Sequence, residues 1–96
     1  MNQLTLTTTR QRPLRPLIEA ALKNEIRLLE AAIQRTEEHL RAFEAAHRMS
    51  SAEFLQRYEN DELPETLELA EWIGEYRLLS RLSEKADAYR EITFVH

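Results

Sequence analysis

Glu44-Ala45-Ala46-His47 is the stretch of this chain that comes nearest to chemistry by residue type and spacing. A carboxylate and an imidazole three residues apart project from one helical face. Di-iron and di-manganese carboxylate bundles hold their metals with that motif, used twice, plus two further Glu residues. Here it occurs once. A second copy of the chain would have to supply the other motif, with Glu68 or Glu71 completing the ligand set. The simpler reading has His47 at the end of a helix, where it packs or caps and a cationic ring complements the macrodipole. With the set incomplete, no metal is assigned, and Glu44 and His47 stand only as the weak alternative.

The other histidines, His39 and His96, have no partner at a diagnostic spacing. No Ser/His/Asp order and no glycine-rich phosphate loop is present. No catalytic residue and no cofactor is therefore expected, and the chain does not read as an enzyme. Arg10, Arg12 and Arg15, beside a Thr-rich leader, are the candidates for nucleic-acid contact. An arm followed by a helix loosely resembles ribbon-helix-helix proteins, but the helix here is too long and no second helix of the right length follows. Any DNA contact is expected from the arm alone.

Acid is the larger signal. Between Arg57 and Arg77 stand Glu59, Asp61, Glu62, Glu65, Glu68, Glu71 and Glu75, with no basic residue among them. On a helix, Asp61, Glu65, Glu68, Glu71 and Glu75 share about a third of the circumference. A helix N-terminus accounts for acid at Glu65 and Glu68, but not at Glu71 or Glu75. An uncompensated acidic strip suits a basic protein partner through steering and complementarity. Glu62, Glu65, Glu68, Glu71 and Glu75 are the expected partner-binding residues. Residues 1–47 carry seven Lys/Arg against six Asp/Glu, and residues 48–96 six against eleven. The acidic second half excludes a nucleic-acid surface there, since phosphate repels it.

Helices must carry these groups. The 96 residues suffice for one small domain, and 43% hydrophobic with 31% charged residues, one Gly and three Pro describe an almost wholly helical chain. With no Cys there is no disulfide framework and no thiolate metal site. MNQLTLTTTR lacks the apolar core of a signal peptide, and no apolar run approaches membrane-spanning length. A cytoplasmic protein without membrane contact is expected.

Residues 3–9 alternate Leu and Thr, which favours a short strand or an extended arm over 1–12, ahead of one helical domain over 13–96. Pro13 and Pro16 belong in a first turn, so a long helix should start there. Ile26, Ile33, Leu40 and His47 step by seven, as do Leu22, Leu29, Thr36 and Phe43, giving an a/d seam of coiled-coil character. Leu17, Ala21, Leu28, Ala32 and Ala46 widen it beyond what one partner helix covers. A homodimer with Leu22, Ile26, Leu29, Ile33, Leu40 and Phe43 in its interface is the expected assembly.

Met49-Ser50-Ser51-Ala52-Glu53-Phe54 ends that helix and starts another. Ser50 and Glu53 form a capping box, and Met49 and Phe54 a hydrophobic staple. A short helix to about Asn60 should follow, then one from Pro64 to about Glu91. In the last helix Leu69, Trp72, Ile73 and Tyr76 share one side. Leu78, Leu79, Leu82, Ala86 and Tyr89 lie a quarter to a third of a turn away, implying two packing neighbours. The change falls at Gly74, where a close approach or a bend is expected. The predicted fold is all-α: a long antiparallel hairpin with a short connecting helix, dimerising as a four-helix assembly. The tail from Ile92 to His96 is apolar and β-branched, to be extended or docked.

The run from Met49 to Leu63, MSSAEFLQRYENDEL, followed by Glu71-Trp72, resembles the centre of certain small helical antitoxins of prokaryotic two-gene toxin–antitoxin modules. Their pattern is a coiled-coil-like helix, then M-S/T-x-x-E-F-x-x-R-Y/F-E-x-G-E-L, an acidic turn and E-W. The resemblance spans roughly residues 20–80, and the chain departs from it at Asp61, where the pattern has Gly. It implies a protein that binds and silences a small, basic toxin and does no chemistry itself. Two other functions fit the residues: a homo-oligomeric helical scaffold or adaptor, and a metal-dependent bundle enzyme using Glu44 and His47.

Overall fold

The computed structural model describes the backbone of residues 2–4 and 14–94 and the side chains from 14 to 92. Helix α1 (Leu14–His47) holds 34 residues. Leu, Ala, Glu, Arg and Ile dominate it, and its single proline, Pro16, lies in the first turn, where no helical amide bond is lost. At its end Arg48 turns left-handed, with φ 54°. The Met49 amide then donates to the Glu44 carbonyl at 3.3 Å, the long bond of a Schellman ending.

Helix α2 (Ser51–Glu59) starts on Ser50, whose Oγ accepts from the Glu53 amide at 3.1 Å. The capping box is half made: the Glu53 carboxylate pairs with Arg57 at 3.3 Å instead of reaching back. The staple residues converge, with Phe54 fully buried and Met49 packed on the same cluster. Asp61 closes the helix at φ 56°. Its amide donates to Tyr58 O at 3.2 Å and that of Glu62 to Arg57 O at 3.0 Å, a complete Schellman pair.

Helix α3 (Leu67–Arg90) begins later than Pro64 suggests. Thr66, extended at φ −127° and ψ 160°, is the N-cap, its Oγ1 accepting from the Leu69 amide at 3.1 Å. Pro64 stays in the connection. A hydroxyl three residues ahead of a free amide outranked a proline that merely tolerates a first turn.

The helices form an all-α hairpin: α3 runs back antiparallel along α1, and α2 fills the turn end. The molecule measures 61 × 21 × 18 Å. At the open end, strands β1 (Asn2–Leu4) and β2 (Ile92–Phe94) pair in parallel, Asn2 opposite Ile92 and Leu4 opposite Phe94. Residues 2–4 of the leader, read as a strand or extended arm, thus pair with residues 92–94 of the tail, read as extended or docked; residues 1, 5–13, 95 and 96 lie outside the described ones.

Leu40, Phe54, Leu69, Trp72 and Ile73 form the core, all near the turn. In the open half, among the described residues, only Leu29, Thr36 and Ala86 are buried. Part of the seam expected between two copies is covered within the chain itself. Leu29 and Leu40 are buried within one chain, and Phe43 stacks on its own Trp72. Leu22 and Ile26 line a shallow groove with Tyr89 and Arg90 of α3, and Ile33 is half-buried. A tethered helix reaches that stripe at a high effective concentration, so α3 takes part of it and leaves Leu22, Ile26 and Ile33 half-buried. What α3 leaves uncovered is the flank, where Leu17 and Leu28 stay 62% and 58% exposed. No helix is long and apolar enough to cross a membrane among the described residues.

Candidate partner-binding site

Trp72 fixes the geometry of the turn end. Phe54 of α2 stacks on its indole at 3.9 Å between centroids and 5° between planes. Phe43 of α1 lies parallel at 5.6 Å, and the His47 ring sits at 5.2 Å. A fully buried indole N–H needs an acceptor, and it donates to Ser51 Oγ at 2.9 Å. Ser51 Oγ in turn donates to Glu44 Oε2 at 2.8 Å, and the Ser51 amide donates to the same oxygen at 2.8 Å. One carboxylate thereby satisfies a helix N-terminus and closes a chain through all three helices.

That arrangement engages both side chains of the Glu-x-x-His motif within one chain. Glu44 points to Ser51, while His47 Nε2 meets Glu68 Oε1 at 3.1 Å. The two side chains of the Glu-x-x-His motif engage different partners. Among the described residues no three of His, Asp or Glu converge on a point where an ion could sit. Within one chain, Glu44 and His47 are not arranged as the ligands of a di-metal carboxylate centre. His47 packs at the helix end, against Trp72.

The acidic residues divide. Glu68, Glu71 and Glu75 stand on α3 along one side of a groove of about 660 Å³ between α1 and α3. Its floor and far wall are Ala42, Phe43, Ala46, Gly74 and Leu78, with His39 and Arg81 also on the lining. Glu62 and Glu65 lie exposed in the connection before Thr66 and line no part of the groove. Asp61 and Glu65 share a face with Glu68, Glu71 and Glu75 only if the segment from Asp61 is helical, and α3 begins after Thr66. Two of the rim carboxylates also bridge the hairpin: Glu68 to His47, and Glu75 to His39 Nδ1 at 3.2 Å. Glu71 has no partner among the described residues.

Gly74 lies on the groove rather than at a helix crossing. A Cβ built there meets nothing within 4 Å, so no close approach inside the chain requires glycine. Of the close approach or bend expected at Gly74, the close approach is absent within the chain, and neither Ala42 nor Arg81 stood out in the sequence. Their common feature, one flank of each helix brought together by antiparallel pairing, exists only after folding.

Of the arginines in the leader, Arg10 and Arg12 lie outside the described residues. Arg15, in the first turn of α1, donates through Nε to Glu19 at 2.6 Å. No family model, curated protein or solved structure matches this chain.

Proposed function

We propose that this chain is a partner-binding protein of antitoxin type, which neutralises a small basic protein by covering it with the acidic face of α3. One observation carries the reading: Glu68, Glu71 and Glu75 line a single open groove together with Ala42, Phe43, Ala46 and Leu78. An acidic rim steers a cationic partner, and an apolar floor holds it once water has left. The resemblance over Met49–Leu63 and Glu71-Trp72 supports the same reading. The residues it rests on, Ser50, Phe54 and Trp72, build the turn that presents the groove. The work proposed is cytoplasmic and needs no cofactor.

The test is a pull-down and a growth assay with the product of the adjoining gene, a small basic protein on this reading. The wild-type chain should bind it and restore growth of cells expressing it. Replacing Glu68, Glu71 and Glu75 together by Gln should weaken binding and flatten its salt dependence, because rim charges act first on association. Absence of binding and of rescue by the wild-type chain would sink the proposal.

A second reading, a homo-oligomeric scaffold or a dimeric form of the same antitoxin, is favoured by the open half. Leu17 and Leu28 are exposed there, beside a core of few buried residues. Sedimentation at micromolar concentration distinguishes the states. Twice the chain mass, reverting to one on Leu28→Glu, is the expected result for a dimer built on that flank.

A further inference from the structure

We infer that the groove between α1 and α3 takes one amphipathic, cationic helix of the partner, seated over Gly74. The inference rests on the partner-binding reading above and says which element of the partner docks, and where. The walls are two continuous helices whose backbone amides and carbonyls are spent on one another, so no sheet edge is offered to an incoming strand. Side chains alone make the contact. The groove follows α3 from Glu68 to Arg81, about 20 Å at 1.5 Å per residue, which matches three to four turns of a docked helix.

Its floor has the relief that such a helix needs. Ala42 and Ala46 on α1 and Gly74 on α3 are all exposed and bear little or no side chain. Phe43 and Leu78 stand beside them as half-buried apolar surface. No atom lies within 4 Å of a Cβ added at Gly74, so the space above it is open. A large apolar side chain of the partner enters there, and its neighbours one turn away lie on Phe43 and Leu78.

The rim fixes the sign of the occupant. Glu68 and Glu75 keep a histidine each, and Glu71, midway between them, has no partner among the described residues. Arg81 marks the far end of the lining. Lys or Arg on the flank of the docked helix meets Glu71 and its neighbours. A second copy docking through the same acidic face of α3 would bring carboxylates to an acidic rim, at a net charge of −4 per chain, which disfavours self-occupancy through that face.

The test uses the full-length chain, the basic product of the adjoining gene, and synthetic helices cut from that product. Gly74→Leu fills the floor at an open, helical position. It should keep or raise the melting temperature while weakening the partner by more than about ten-fold. Ala42→Trp, on the opposite wall, should do the same. Glu71→Lys should slow association most at low salt. One peptide, cationic and amphipathic, should bind alone and shift the methyl signals of Ala42, Ala46 and Leu78. If the wild type binds the partner and both filled variants bind equally well, the groove is not the site, although the partner-binding function stands. If the wild type binds nothing, the function itself fails. If Gly74→Leu instead turns a dimer into a monomer with no partner present, the occupant is a second copy and the inference is overturned.

Discussion

Ser51 stands between two groups that its removal strands. Ser51→Ala leaves the buried Trp72 Nε1–H with no acceptor and takes one of two bonds from Glu44, while the backbone bond to Glu44 survives. An unmet buried donor costs about 1–3 kcal/mol, so urea unfolding of the variant should show a loss in that range, with altered tryptophan emission. Ser50→Ala removes an exposed cap and should cost about 1 kcal/mol with the emission unchanged. The two neighbouring serines were not equally legible. Ser50 bonds to an amide three residues away, within reach of a local signature. Ser51 works with partners seven and twenty-one residues away. The structural role of Glu44 was illegible for the same reason: its spacing to His47 is local, and its partner Ser51 is across a turn.

At the scale of elements, caps decided where helices begin and end. Asp61 occupies a left-handed position, φ 56°, that glycine enters without steric cost. Asp61→Gly should stabilise the chain by about 0.5–1 kcal/mol, measured as a shift of the urea midpoint at constant slope. Gly74 is the opposite case, a helix interior where glycine is the costly residue. Since an added Cβ meets nothing, Gly74→Ala should gain about 1 kcal/mol and raise the melting temperature by about 4–8 °C. The periodicity of α1 and the cap of α2 were readable because each repeats or sits within one turn. The start of α3 was not, because Pro64 and Thr66 both signal a start and only the chain's path decides between them. Nor was the allegiance of the a/d seam, since heptads describe a stripe and not its occupant.

The whole molecule is a rod with its core at one end. Leu40, Phe54, Leu69, Trp72 and Ile73 are shared by three helices, while the open half is held by two helices, a two-strand pairing and the Arg90–Glu30 bridge at 2.9 Å. An exposed bridge of that kind adds about 1 kcal/mol at most. Hydrogen exchange should therefore report two levels of opening. Amides near Phe43 and Trp72 should exchange only through global unfolding, and those near Ile26 and Arg90 through smaller openings. A uniform protection profile in the isolated monomer would contradict this division. Binding of a second chain to the open half should raise its protection, and binding in the groove should not.

The cross-helix contacts nest around a single turn. His47 and Glu68 are 21 residues apart, His39 and Glu75 36, and Glu30 and Arg90 60, with the β1–β2 pairing outermost. Each contact, once made, leaves only a short stretch of chain to be closed before the next, so the entropic toll of ring closure is met in small instalments. The order in which the molecule assembles is then written into its connectivity, from the bend outward, with the strands last. A contact made after the rate-limiting step leaves the forward rate alone and slows only the reverse one. Deleting residues 1–13 should leave the refolding rate of the hairpin unchanged and hasten its unfolding, so the clasp acts as a latch on escape and not as a guide to the native state.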